Sequence, residues 1–221
     1  MASRLYPATK KLFCQVLNAL SQIGYGAILS PLAFGLLTLY VTGLILLDKR
    51  QTSRRISFWL PARSHDALNR LLRSIPISTR ALMGRLILLA KRLNMKGYLV
   101  IDDVVVEKPF SKKIPWVAWT YSTTKRQKVL GLHIVVLLWC SGSWRIPVAF
   151  RIWCPRDCCS PGSYKTKAQL AWGMIIEVVS QALPVEYIVF DSFYTAGWMT
   201  KKISHLGIVW VGVLSPRTKV L

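Results

Sequence analysis

From Tyr98 onward the sequence changes from helical to strand periodicity, and this change constrains the fold more than any other feature. Runs of β-branched and aromatic residues predict strands, and Ser141-Gly-Ser is a hairpin signal between two of them. The predicted elements are, in order, strands over 98–106, 129–140 and 144–153, a helix over 164–183, a strand over 187–190, a helix over 196–205 and a strand over 208–214.

Three consecutive strands followed by alternating helices and strands predict an α/β protein. This order is that of a ribonuclease H-like mixed sheet with helices. The region before it is predicted to be all-α. We therefore expect a helical N-terminal region over 1–96, which could bind DNA, and a ribonuclease H-like core over 97–221. Topology alone does not assign a function.

Two helices are predicted just before the sheet. Ser64 is a plausible N-cap of the first, whose apolar residues recur at helical spacing until Pro76 stops it. Ser78 could cap the second, which extends to Leu93. The pair could be a helix-turn-helix reader of DNA or a packed antiparallel pair with a basic outer face. We favour the packed pair, with the basic face free to touch phosphates.

Residues 23–47 carry no formal charge and are long enough to span a bilayer. Pro31, Gly35 and Gly43 interrupt the stretch, and Ser30-Pro31 is a helix start signal. We therefore predict two shorter buried helices here and keep a membrane anchor as the rival interpretation.

The chain has 30 Lys and Arg against 9 Asp and Glu, a formal net charge of +21. Such an excess repels itself unless a polyanion screens it, and nucleic acid is the commonest polyanion. Each basic cluster taken alone is more simply a solvated surface. The candidate DNA-binding residues are Lys112, Lys113, Lys125, Arg126, Arg70 and Arg73.

The five cysteines do not form an evident disulfide framework, because their number is odd and two are adjacent. A reducing cytosol is therefore the expected compartment. The dense run from Cys154 to Cys159 raises the question of zinc, but no second pair of ligands has suitable spacing. We predict unpaired thiols.

The few acidic residues are informative. Asp102 and Asp103 lie inside an apolar strand, and Asp191 ends a later buried strand. If these two strands are neighbours, the carboxylates meet in one cleft and can bind a hard divalent ion. Alternatively, Asp103 pairs with a Lys or Arg, and Asp191 is only a helix cap.

The sequence around these acids resembles insertion-sequence transposases of the DDE type, in particular the IS4 and IS701 groups. The similar segments are LVIDDVVVEKP at 99–109, YSTTK at 121–125, VLGLHIVV at 129–136, WRIPVAF at 144–150, KTK at 165–167 and YIVFDSFY at 187–194. The resemblance covers about residues 97–215 and, more weakly, 32–93.

The resemblance implies an Asp-Asp-Glu triad that holds two Mg²⁺ or Mn²⁺ ions for phosphodiester hydrolysis and strand transfer. Asp102 best matches the first Asp, but Val104 replaces the usual Thr, so Asp103 remains a competitor. Asp191 matches the second Asp. The implied partners are transposon-end and target DNA, with a homodimer left open, in the cytoplasm on chromosomal or plasmid DNA.

In the family, a long insertion separates the last strand from the third acidic residue, whereas this sequence ends at Leu221. We therefore expect the polypeptide to be inactive alone, as a truncated copy, a decayed gene or the upstream part of a frameshifted product. The alternatives are a non-catalytic DNA-binding regulator of transposition and a membrane-anchored basic protein.

Overall fold

The structure is a computed structural model, and it describes residues 5–48, 51–74, 79–111 and 114–214. The chain divides into two compact units, Met1–Arg85 and Leu86–Leu221. The described residues form seven α-helices and one six-stranded sheet.

The first unit is helical. Its core is built from apolar side chains that several helices share, including the fully buried Leu39, Ile56, Leu60 and Leu68. Its helices are α1 (Pro7–Ile23), α2 (Pro31–Leu46), α3 (Ser53–Trp59), α4 (His65–Ser74) and the beginning of α5 (Thr79–Arg92).

The apolar stretch over 23–47 is not one continuous helix. Gly24, at φ 88°, takes the left-handed conformation that ends α1, and a 3₁₀ turn over Tyr25–Ala27 follows. The side chain of Ser30 then accepts a hydrogen bond from the Ala33 backbone N–H, and α2 begins at Pro31 as predicted. The expected earlier helix within the stretch is instead this short turn.

The rival interpretation of this stretch was a membrane anchor. Within the described ranges, no helix combines the length and the apolar character needed to cross a bilayer.

The prediction for α4 is confirmed. The hydroxyl oxygen of Ser64 accepts a hydrogen bond from the Ala67 backbone N–H at 3.3 Å, and the helix runs from His65 to Ser74. Pro76 and Ser78, the predicted stop and cap, lie outside the described residues. Arg70 and Arg73 are exposed on α4, as expected for a basic outer face.

The second unit contains the sheet and two further helices. Its elements are β1 (Gly97–Glu107), β2 (Ala118–Ser122), β3 (Gln127–Ser141), β4 (Trp144–Trp153), α6 (Lys167–Val179), β5 (Val185–Phe190), α7 (Gly197–His205) and β6 (Val209–Gly212). The path through the sheet is β2-β3-β1-β5-β6, with β4 paired to β3.

Strand direction changes across the sheet. β3 is antiparallel to β1, β2 and β4, whereas β1, β5 and β6 are parallel. With α6 connecting β4 to β5, this is a ribonuclease H-like α/β fold preceded by a helical region, as predicted. The expected neighbours β1 and β5 do pair, and their last rung joins Ile101 to Phe190.

One face of the sheet is covered. Leu99 and Ile101 of β1 share a buried cluster with Ile188 and Phe190 of β5 and with apolar residues of α6 such as Met174. Because side chains alternate along a strand, the intervening residues of β1 belong to the opposite face.

In the second unit, two elements differ most from the sequence prediction. Strand β2 was not predicted because its pattern is the reverse of an ordinary half-buried strand. It buries the polar Thr120 and Ser122 and exposes the aromatic Trp119 and Tyr121. Helix α6 spans fewer residues than the predicted 164–183. It begins after Thr166, which forms a capping box with Gln169 that satisfies backbone N–H groups at the start of the helix.

The start of β1 provides a test of packing. A Cβ on Gly97 would lie 2.5 Å from the indole of the fully buried Trp139 and 2.7 Å from the carbonyl oxygen of Cys140. Gly97→Ala should therefore lower the free energy of unfolding by about 1–3 kcal/mol, the usual cost of overpacking. Urea denaturation measures this change.

Gly173→Ala is the matched control. Gly173 lies within α6, and a Cβ there would meet no atom within 4 Å. This substitution should stabilise the protein by about 0.5–1 kcal/mol through helix propensity. Equal effects of the two substitutions would contradict the packing described at Gly97.

Candidate metal centre

A cleft of about 540 Å³ lies within the second unit, and the three predicted acidic residues line it together. Asp102 and Asp103 come from the middle of β1, and Asp191 follows the end of β5. The structure thus brings together the carboxylates that the sequence separates by almost ninety positions. Their side chains nevertheless have different surroundings.

Asp102 and Asp191 occupy equivalent positions on neighbouring parallel strands. Each is the residue that follows the last paired rung, Ile101 with Phe190. Since that rung points into the core and the backbone of Asp191 is extended, the pleat directs both aspartates to the other face. Both residues are exposed at the cleft.

Each of these two carboxylates has a single local hydrogen bond. Oδ1 of Asp102 accepts from the Asp103 backbone N–H at 2.8 Å, and Oδ1 of Asp191 accepts from the Phe193 backbone N–H at 3.0 Å. Within the described part of the chain, no Lys, Arg or His forms an ion pair with either. The second oxygen of each carboxylate accepts no hydrogen bond from the residues that the structure describes.

Asp103 is in a different position, on the covered face of the sheet. Its carboxylate accepts hydrogen bonds from the ring of His133 and from Lys167 Nζ, the latter at 2.8 Å, and the Tyr194 hydroxyl lies at 3.5 Å. Burial alone would raise the pKa of Asp103, but these hydrogen bonds and the charges of His133 and Lys167 lower it to about 2. Asp103 is thus an ionised, fully engaged carboxylate.

The ring of His133 is held on both sides. Because an ionised carboxylate can only accept, Nε2 of His133 must donate to Asp103. Nδ1 lies 2.9 Å from the Thr120 hydroxyl, which donates to it when the ring is neutral. The buried Thr120 therefore fixes the ring orientation, and this explains why β2 buries a polar residue.

Tyr194 connects the two groups of acids. Burial, followed by the charges of Asp103, Asp191 and Asp102, raises the pKa of its phenol far above the usual range. The hydroxyl consequently stays protonated and can donate a hydrogen bond to a carboxylate.

Sequence reasoning did not identify His133, Lys167 and Tyr194. The signal for His133 was available, since a lone histidine inside the apolar run VLGLHIVV needs a polar partner. Lys167 and Tyr194 lie in the segments KTK and YIVFDSFY that resemble the family, and a Lys or Arg partner for Asp103 was one expectation, but the sequence does not show which residue it is, because each meets Asp103 only through the tertiary fold.

The predicted DNA-binding residues are only partly described. Lys112 and Lys113 lie outside the described residues. Lys125 Nζ pairs with Glu107 at 2.6 Å, whereas Arg126 is exposed in the turn between β2 and β3. Arg70 and Arg73 belong to the other unit. DNA binding by these residues stays a prediction.

The structure contains all five cysteines as free thiols, with Cys140 buried and Cys14 and Cys158 exposed. Burial, with a further contribution from Cys159 and Cys158, raises the pKa of Cys154 to about 12, so its thiolate is disfavoured. Among the described residues, no group of three or more His, Cys, Asp or Glu side chains is arranged to hold a metal ion.

Removing the charge of Asp103 should destabilise the fold. In Asp103→Asn the ammonium of Lys167, whose side chain is only 16% exposed, loses its counter-charge. We expect a loss of about 2–4 kcal/mol in the free energy of unfolding, measured by urea denaturation. Asp102→Asn is the control and should change stability by less than about 0.5 kcal/mol; equal losses would contradict the distinction between the two aspartates.

Asp103 should also make stability depend on pH in the acid range. Its pKa is about 2 in the folded protein against a reference value of 3.8, so the unfolded chain takes up the proton first as pH falls. Stability from this group is complete above about pH 5 and is lost progressively down to about pH 2, by about 2 kcal/mol in total. Urea denaturation between pH 6 and 2 should show this loss in the wild type and a smaller loss in Asp103→Asn.

Comparison with known proteins identifies a family for this sequence. A sequence model described as DDE superfamily endonuclease matches residues 33–221, which is most of the chain. No protein with curated function is significantly similar to the sequence. The match includes both strands that carry Asp102 and Asp191, and the chain belongs to the DDE superfamily endonuclease family.

Proposed function

We propose that this chain is the phosphoryl-transfer core of a DNA transposase, related to the IS4 and IS701 groups. One observation carries the proposal: Asp102 and Asp191 follow the same rung of the β1–β5 pair and line one cleft, each with a carboxylate oxygen to spare. Membership of the DDE endonuclease family implies DNA as the substrate and, in general, divalent metal ions as cofactors.

The donor set suits Mg²⁺ or Mn²⁺. Both ions prefer hard oxygen ligands, and Asp102 and Asp191 offer carboxylates that no cation in the described residues neutralises. Lys167, the nearby ammonium, is held by Asp103 and therefore does not compete for them. When bound, such an ion activates water and stabilises the leaving oxygen of a phosphodiester.

The remaining residues position this pair. His133, Lys167 and Tyr194 fix Asp103 on the covered face, and Asp103 in turn fixes the middle of β1, where Asp102 lies. The hydrogen bond from Phe193 orients Asp191 in the same way. We propose Asp102, and not Asp103, as the first ligand.

Activity should be weak in this polypeptide. Affinity for a divalent ion depends on the number and charge of its ligands, and no group of three or more such ligands is present among the described residues. The formal charge of +21 supports binding to DNA phosphates, which weakens steeply with added salt.

Nicking of DNA tests the proposal. The purified protein with Mn²⁺ should convert a supercoiled plasmid that carries a matching transposon end into nicked circles. Asp191→Ala and Asp102→Ala should each reduce that rate by at least about 100-fold, as expected for loss of transition-state charge stabilisation. Asp157→Ala, at an exposed acid outside the cleft, is the matched control and should keep the wild-type rate.

Two outcomes would overturn the proposal. Nicking that survives Asp191→Ala would assign the activity to another site or to a contaminant. Absence of both nicking and Mn²⁺ binding that depends on Asp191 in the wild type, with salt-sensitive DNA binding intact, would favour the alternative of a regulator that competes for transposon ends.

A further inference from the structure

Strand β2 exposes two large aromatic side chains at the cleft. Trp119 is 68% exposed and Tyr121 is 55% exposed. Thr120, which lies between them, and Ser122, which follows Tyr121, are buried. Since exposed aromatic surface is costly in water, two such residues side by side on a strand indicate a binding surface. We call Trp119 and Tyr121 the aromatic pair.

The aromatic pair shares a face of the sheet with Asp102. On β3, Leu130 is opposite Trp119 and Lys128 is opposite Tyr121. Val136 of the same strand is opposite Asp102. These β3 positions differ by even numbers, so all of these side chains belong to one face. The aromatic pair and both proposed metal ligands line the same cleft.

The surroundings of the aromatic pair favour a polyanion. Lys128, opposite Tyr121, is exposed, and so is Arg126 in the adjoining turn. Phe193, also 55% exposed, lines the cleft beside Asp191, and Lys167 Nζ lies 4.8 Å from its ring centroid. Flat aromatic surface combined with positive charge is the combination that binds unpaired nucleotides, through base stacking and phosphate contacts.

We propose that Trp119 and Tyr121 stack against unpaired bases of the DNA strand that is cut. In a duplex the faces of the bases are covered by their neighbours, so only unpaired nucleotides can offer a face to the aromatic pair. The inference rests on the proposed function and refines its substrate class to DNA with unpaired nucleotides beside the scissile phosphate.

Binding to two matched probes tests this inference. The full-length protein is titrated, in buffer with EDTA so that no cutting occurs, against a fluorescent 16-nucleotide strand and against the 16-base-pair duplex of the same sequence. Trp119→Ala should weaken binding to the single strand by about 5- to 100-fold, the effect of losing one stacked base. Binding to the duplex should change by less than about twofold.

Three further variants complete the test. Trp119→Phe keeps a ring and should retain most of the single-strand affinity, whereas Trp119→Leu keeps apolar bulk without a π-face and should behave like Trp119→Ala. Trp144→Ala removes an exposed aromatic residue outside the cleft and should bind both probes as the wild type does. Thermal melts establish that each variant is folded.

Equal binding of Trp119→Ala and wild type to the single strand would overturn the inference. So would an equal loss on both probes, or a change of oligomeric state without a change in strand binding, which would mark a protein-docking surface. The outcomes are separable from those of the nicking assay. Selective binding to the single strand without nicking would contradict only the proposed function. Nicking without a preference between the single strand and the duplex would contradict only the stacking role.

Discussion

The parallel pairing of β1 with β5 decides where the acidic residues lie. Its last rung, Ile101 with Phe190, buries two side chains in the core and so directs the next residue of each strand to the opposite face. Asp102 and Asp191 are those next residues. A shift of one residue in this register would place one aspartate against the covered face and separate the pair.

The Asp102–Asp103 doublet has two roles because a strand alternates its faces. Asp103 points to the covered side, where an ionised carboxylate is tolerated only with strong partners, and His133 and Lys167 supply them. Asp102 points to the open side and needs no compensation from the protein. One residue of the doublet is therefore held by partners within the fold, whereas the other has no ion-pair partner among the described residues.

Much of the fold could be predicted from the sequence, because β3, β4 and β5 are apolar runs bounded by clear turn signals. The pairing of Asp102 or Asp103 with Asp191 was also predictable from strand order. The different surroundings of Asp102 and Asp103 were not predictable, since they depend on which face of the sheet is covered, and His133, Lys167 and Tyr194 reach Asp103 from 30, 64 and 91 positions away. Strand β2 was missed because its exposed face is adapted to the cleft and not to a core.

Metal-directed cleavage of the polypeptide tests the central claim most directly. Fe²⁺ with ascorbate and peroxide generates radicals that cut the backbone only next to the bound ion, and the fragments can be sized by mass spectrometry. The account predicts two cuts, near Asp102 and near Asp191, both suppressed by excess Mn²⁺ and both lost in Asp191→Asn. Cuts at only one of these places, or a pattern that Mn²⁺ does not suppress, would contradict it.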